Sequence, residues 1–397
     1  MKINLKLFKK NVYWVISLIL FGLVVIFSSV MLITLEIGAE ADETSIGFIF
    51  LGNRSADERE SVISQGIQTW QEQAQYTIRY QGYQIPVNLN IFAFDMEKTT
   101  ETLVSNQNNL AIFNVNESEK SVWLNTMTSI MGATIMDTFD DETFFDDVLD
   151  DVMTLSRIKS YDLVNYLDTD LMDYVLNTET MTSISSDDVD DIITAVTDIV
   201  IPKMSRFSLL DALNDLTLNN EQLSIIASGI LSIIDDSHFT SLDFEIYQYL
   251  PSWATQGQNV RILEVNDFDL SFYNSSMNDY RIHISNPSET SLRFELMGYP
   301  YITEYASTTQ LLEVIAYQTI IYDDETIDAL TPGVIITETA TEFIYQVVIQ
   351  NGTNGAIYET LRTMTPYQGD VQTITIYIEH YLPIDEIIHQ HIVEKGG

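Results

Sequence analysis

The chain has 397 residues and a formal net charge of −40, from 58 Asp and Glu against 18 Lys and Arg. That balance excludes nucleic acid as a partner, since phosphate binding needs clustered Lys and Arg. The absence of cysteine removes disulfides, thiolate metal sites and a Cys nucleophile together.

Hydrophobic content of 46% is ample for packed cores, and the length predicts several domains. At the N-terminus, Lys2, Lys6, Lys9 and Lys10 precede an uncharged run from Val12 to Leu35. About 24 residues at ~1.5 Å each suffice to cross a hydrocarbon core of ~30 Å. Lysines on one flank and Glu36, Glu40, Asp42 and Glu43 on the other orient it N-terminus inside. The reading is a cytoplasmic tail (1–11), a single-pass anchor in the lipid bilayer of the cell membrane (12–35) and an extracellular ectodomain. Ala39-Glu40-Ala41 has the small-x-small spacing a signal peptidase reads, so cleavage after Ala41 is the alternative.

Beyond the anchor, IGFIFLG (46–52) predicts a strand. In 55–75, Val62, Ile63, Ile67 and Trp70 share a helical face, with Ser55 as cap. The alternation of 76–94 predicts a hairpin turning near Gln81-Gly82. These complete a small α+β domain, 42–115. Residues 116–199 predict an acidic helical region, with Val148, Val152 and Leu155 at helical spacing between Asp-rich faces. Residues 200–305 predict a mixed α/β domain, with an apolar helix around 224–234 and later strands turning at Asn274-Ser275 and Asn286-Pro287. Residues 306–397 predict an extended β module with turns at Thr331-Pro332-Gly333, Asn351-Gly352 and Gln368-Gly369. The fold class is α+β.

Three stretches in this order resemble VanW-like proteins. IFLGNRSADERESVISQGIQTW followed by YTIRYQGYQIPVNLNIFAFD resembles their peptidoglycan-binding domain. VIPKMSRFSLLDALND (200–215), LSIIASGILSIIDDSHFTSLDFEIYQYLP and DFDLSFYNSSMNDYRIHISNPSETSLRFELMG (267–298) are similar to the VanW domain. TPG (331–333), QNGTNGAIYETLRTMTPYQGDVQ (350–372) and YLPIDEII (381–388) resemble the five-glycine domain, with Gly333, Gly352 and Gly355 on its glycines and Pro383 on its closing proline. The Cys-Gln pair of the VanW motif falls on Ala227-Ser228, its glycines on Ser224-Ile225, and its His-Pro-His segment on Gln248-Tyr249-Leu250. None of those motif residues is present. The resemblance therefore implies a degenerate, noncatalytic member that contacts peptidoglycan or another cell-wall glycan.

Candidate chemistry outside that motif is sparse. Ser224, Ser228, Ser232, Ser237 and His238 contain the elements of a Ser–His pair, but the serines interleave with Ile225, Ile226, Ile230 and Ile234, which predicts a core helix. His389 and His391, with Glu386 and Glu394, predict a polar terminus rather than a metal site. His283 and His380 lie in alternating strands and are expected to face solvent. The aspartate pairs from Asp140-Asp141 to Asp190-Asp191 lack the spacing of a calcium loop. No cofactor and no metal are expected. Asn351-Gly352 and Asn354-Gly355 are expected to supply positive φ in tight turns. Tyr345, Tyr358, Tyr367 and Tyr377, with Gly352 and Gly355, are the glycan-binding candidates, because an aromatic face meets the apolar face of a hexose. The expected function is a membrane-anchored, noncatalytic envelope protein binding wall glycan. The alternatives are a module docking an exported protein partner through β-edges or acidic helices, and, third, a wall-polymer hydrolase or transpeptidase.

Overall fold

The computed structural model describes residue 14, residues 16–27 and residues 42–395. Residues 16–27 are helical, and Leu18, Phe21 and Phe27 among others are exposed. Among the described residues no helix is long and apolar enough to cross a membrane. The expected tail, the remainder of the 12–35 anchor and the Ala39–Ala41 cleavage site lie outside the described residues. The chain is mixed α+β and divides into two compact units.

The first unit holds the described residues up to Tyr80, with 84–126 and 140–166. Its elements include α1 (Ala56–Gln73), β1 (Gln75–Tyr80), β2 (Tyr83–Pro86), the first part of α2 (Glu117–Met131), α3 (Asp141–Met153) and β3 (Ile158–Asp162). Ser55 precedes α1 as expected, and the Glu58 carboxylate accepts its backbone N–H at 2.9 Å. Ile63, Ile67 and Trp70 form the buried face. Gln81 and Gly82 both take positive φ, 48° and 86°, the geometry a two-residue hairpin needs. The strand expected over 46–52 is instead a tight hairpin of Ser45–Ile46 and Ile49–Phe50, reversed at Gly47, whose φ is +51°.

The acidic helical region expected over 116–199 is not a separate domain. β3 pairs in parallel with β1, Gln75 opposite Ile158, so this stretch completes the first unit's sheet. The reason lies on α3, whose apolar face (Phe144, Phe145, Val148, Val152) must be buried. Phe144 stacks on Trp123 at 5.5 Å and meets Tyr161 and Tyr166 edge-on. Two of the acids on the helix reach back to this core: Asp147 accepts from the Tyr166 hydroxyl at 2.9 Å and Asp151 from Tyr161 at 2.8 Å.

The second unit holds 81–83, 127–139 and the described residues from 167 onward. Its elements are β4 (Val175–Met181), α4 (Ser186–Ala195), β5 (Asp198–Ile201), β6 (Ser205–Ser208), α5 (Asn220–Ile234), β7 (Thr240–Asp243), β8 (Ser271–Asn274), β9 (Tyr280–Ser288), β10 (Ser291–Met297), β11 (Glu304–Ile315), β12 (Thr319–Asp323), β13 (Ile335–Glu338), β14 (Glu342–Gln350), β15 (Gly355–Thr365), β16 (Gln372–Tyr381) and β17 (Glu386–Glu394). An antiparallel sheet of order β5-β9-β10-β4 carries α5 on its apolar face. The strand β4 comes from the acidic region, which is thereby divided between the two units. The turn expected at Asn286-Pro287 is a register shift inside β9, and the chain reverses after Ser288.

The β module is built from three long strands that exchange neighbours along their length. In its first sheet the order is β11-β15-β16; in its second it is β12-β17-β14-β13. Because β11 runs on into β12, β14 into β15 and β16 into β17, the first strand leaves one neighbour and joins the other. The crossing lies at 316–318, 351–354 and 382–385. There Thr353 and Ile384 exchange backbone hydrogen bonds of 2.8 and 2.9 Å, and Glu386 N–H donates to Gln318 O at 2.8 Å. At two positions of the crossing there is no room for a side chain. A Cβ on Gly352 would lie 2.3 Å from the Tyr317 ring, and one on Gly355 would lie 2.5 Å from Tyr381 O. Neither glycine has positive φ; Gly333 and Gly369 do. The two Asn-Gly pairs thus mark a strand crossing, not tight turns.

Candidate functional site

The α5 stretch, where a Ser–His pair was conceivable, is buried from Gln222 to Ile234. Asn219 caps it through bonds to Glu221 and Gln222 N–H, and Gly229 is required because a Cβ would lie 2.2 Å from the Phe294 ring. Its serines are engaged by backbone. Ser224 Oγ accepts from Ile262 N–H and Ser228 Oγ from Val260 N–H, both at 2.9 Å. The segment 260–262 therefore hydrogen-bonds to the side of a helix as another segment would to a strand. Ser232 donates to Gly229 O at 2.7 Å and Ser237 donates to Ile234 O. His238 stands between the Tyr301 hydroxyl and Asn274 Oδ1, each 3.1 Å away. Burial pushes its pKa down to about 4, so the imidazole is neutral. No serine hydroxyl is among its described partners. Ala227 and Ser228, the positions of the VanW Cys-Gln pair, are both fully buried.

Beyond the end of α5 lies a dense group of buried polar side chains. Arg362 on β15, 2% exposed, donates to Asp235 O at 2.5 Å, Phe239 O at 2.5 Å and Ile234 O at 3.0 Å. The Ile234 and Asp235 carbonyls are among those a helix end leaves unpaired, and the cation also meets the negative end of the helix dipole. The Asp235 side chain points to β16. Its Oδ2 is 2.5 Å from the Tyr377 hydroxyl, which is also 2.5 Å from Gly257 O. The N–H of Gly257 donates to Glu379 Oε2 at 2.6 Å, and the Tyr381 hydroxyl donates to the same oxygen at 2.9 Å. Gly257 has a φ of +84°, and a Cβ there would lie 2.3 Å from Thr309 Oγ1. The turn it occupies is thus clamped by β11 and β16, with its amide held by one acid and its carbonyl tied through tyrosine to another. Burial raises the pKa of Asp235 to about 8 and raises that of Glu379. Asp235 Oδ1, Asn259 Oδ1 and Glu379 Oε1 are buried without a hydrogen-bond partner among the described residues. What such an arrangement can do is store protons; it has no opening for a substrate among its described contacts.

The glycan-binding candidates do not converge. Tyr377 is turned inward, its hydroxyl in the Asp235 cluster and its ring edge-on to Phe244 at 5.0 Å. Tyr358 packs edge-on against Tyr381 at 6.0 Å. Tyr345 shares a sheet face with Tyr322, His389 and His391, and the 324–331 turn folds over that face: His389 bonds Asp324 at 3.0 Å and His391 bonds Ile327 O at 2.8 Å. Tyr367 is 38% exposed at the Pro366–Gly369 turn. Gly352 and Gly355 belong to the strand crossing. Among the described residues no group of three His, Asp or Glu is placed to hold a metal. His283, expected to face solvent, is half-exposed but bonds Asp198 at 3.1 Å, and His380 is exposed.

An open cleft of about 370 Å³ lies between β5, β6 and the short helix Leu209–Ala212. Two of its polar groups are occupied: Ser208 donates to Asp269 at 2.6 Å, and Arg206 donates to Asp243 at 3.0 Å and Ser271 at 2.5 Å. No protein-family model matches the chain, and no curated protein matches it. Asp235, Gly257 and Glu379 carry no motif in the sequence. Arg362 leaves one trace: from residue 304 onward the only Lys or Arg residues are Arg362 and Lys395.

Proposed function

We propose that the chain is a membrane-anchored, extracytoplasmic cell-envelope protein that binds a partner and performs no catalysis. The β module is its binding element. The observation that carries this reading is the second sheet of that module. One of its faces is built from Ile321, Ile388 and Val348, then Asp323, Gln390, Gln346 and Ile335, then Ile392, Ile344 and Thr337. Ile321, Ile335 and Ile392 are 50%, 55% and 45% exposed. Isolated exposed aliphatics are ordinary, but here they recur on all four strands of one face, with Asp323, Gln390 and Gln346 between them, and an apolar patch interrupted by polar groups supports a contact surface. Saturated branched side chains suit a protein partner, the docking role weighed against glycan from the sequence. The apolar residues exposed along 16–27 support the anchor.

The wall-glycan reading stands second, on the exposed Tyr367 and the VanW-like resemblance. Two assays on the full chain separate them. Photocrosslinking from position 335 in cells is expected to trap a protein, and Ile335→Asp with Ile392→Asp is expected to abolish that product while leaving the fold intact. Retention on purified sacculi that survives those substitutions, with no protein crosslink, would reject the protein partner in favour of glycan.

A further inference from the structure

We propose that Asp235 is held protonated and acts, through the Tyr377 hydroxyl, as a proton-controlled latch that fastens the Gly257 turn and the end of α5 to the β module. Tyr377 Oη lies 2.5 Å from two oxygens, Asp235 Oδ2 and Gly257 O. A carbonyl oxygen only accepts, and a phenol has a single proton to give. If Tyr377 donates to Gly257, the short contact to Asp235 needs a proton of its own, and the carboxyl is the group that can supply it. The chain is then Asp235 O–H to Tyr377 O–H to Gly257 C=O. An ionised Asp235 would leave one of the two short contacts as a donorless approach of two oxygens.

The surroundings favour the same state. Asp235 is 4% exposed. The charged and titratable groups facing it are Asp236 beside it, Arg362 on β15, and Tyr377 and Glu379 on β16. Arg362 is the attractive charge, but its nitrogens donate to the backbone oxygens of Ile234, Asp235 and Phe239, so it forms no ion pair with the carboxylate. Asp236 and Glu379 oppose ionisation. With burial, these set the carboxyl near pH 8.

Ionisation would draw the Tyr377 proton to the carboxylate and strip Gly257 O of its donor. Gly257 is then tied to the β module through its N–H to Glu379 and no longer through its carbonyl, beside a fresh buried negative charge. The latch is closed below the transition and loosened above it.

The test uses the full chain and its Asp235→Asn and Tyr377→Phe variants. The carboxamide of D235N can donate to Tyr377 and cannot titrate. Infrared difference spectra are expected to show a protonated-carboxyl band that disappears with a midpoint near pH 8 and is missing from D235N. Exchange protection of the Gly257 and Asn259 amides, corrected for intrinsic rate, is expected to drop through the same midpoint, to stay high in D235N, and to be low throughout in Y377F. Absence of the band at neutral pH, or its persistence in D235N, would overturn the protonated state. A band that titrates while protection stays level would overturn the latch.

Discussion

Arg362 Nη2 lies 3.0 Å from the carbonyl oxygen of Ile234, the last residue of α5. A strand of the β module thereby terminates a helix more than a hundred residues earlier in the chain. Burying a guanidinium is costly unless its donors are satisfied, and here three backbone oxygens do so. Arg362→Met removes all three bonds and strands the Asp235 and Phe239 carbonyls in the interior, while Ile234 O keeps its bond from Ser237. Each orphaned group costs about 1–3 kcal/mol, and lost charge burial offsets part of the sum, so a net loss of about 3 kcal/mol is expected. Arg362→Lys, with a point charge in place of a fork, should fall between. Urea unfolding with unchanged slope is the measurement.

The serines of α5 give a sharper contrast. Ser224 and Ser228 accept the buried N–H groups of Ile262 and Val260, whereas Ser232 returns its proton to its own helix at Gly229. Ser224→Ala and Ser228→Ala should each cost about 1–3 kcal/mol through an unsatisfied amide. Ser232→Ala should cost under about 0.5 kcal/mol, since a helix-internal back-bond adds little. Equal costs for all three would contradict the assigned roles. Active-site serine probes are expected to label none of them.

Local chemistry was readable in the sequence and long-range pairing was not. The Ser55 cap and the Gln81-Gly82 turn depend on residues within four positions of one another, so their residue types announce them. The parallel pairing of Gln75 with Ile158 depends on where the α3 aromatics find a core, which no window of sequence contains. The glycines at 352 and 355 were visible, but their cause was not: a glycine required by a neighbouring backbone and one required by positive φ look alike in a string of letters. Arg362 failed for the same reason, since its partners lie on α5 and just beyond it. The tyrosines of the β module alternate as stacking residues would, yet strand crossing and the 324–331 turn send Tyr345, Tyr358 and Tyr377 to different surroundings.

That difference between the glycines is testable. Gly333 has φ +77° with nothing within 4 Å of where a methyl group would stand, whereas Gly352 would drive a Cβ to 2.3 Å from Tyr317. Gly333→Ala should cost about 1 kcal/mol, the backbone penalty alone. Gly352→Ala should cost more, about 2–3 kcal/mol, as overpacking does. Tyr317→Ala in the same chain should recover part of the Gly352 loss and none of the Gly333 loss, a coupling a double-mutant cycle reads directly.

The pH dependence of the second unit's stability should be set by two opposed buried groups, whose slopes cancel between about pH 4 and 6.5 and leave a net fall from about 6.5 to 8. His238 is pushed down to about 4 by burial, so between its ordinary value of 6.5 and about 4 the unfolded chain binds the extra proton. Its contribution is present above pH 6.5 and is lost as pH falls through about 4. Asp235, raised to about 8, behaves oppositely. The folded chain keeps a proton that the unfolded chain releases near pH 3.8, so this contribution is full below that value and is lost as pH rises through about 8. His238→Gln, whose amide can still reach Tyr301 or Asn274 and cannot be protonated, should remove a contribution of about 3 kcal/mol at most and let the Asp235 fall run from about pH 4 to 8. Asp235→Asn should abolish the alkaline limb and uncover the His238 rise between about pH 4 and 6.5. Chemical unfolding from about pH 4 to about pH 9 reads both slopes. An alkaline limb that survives in D235N would assign the loss to the other raised carboxyl, Glu379.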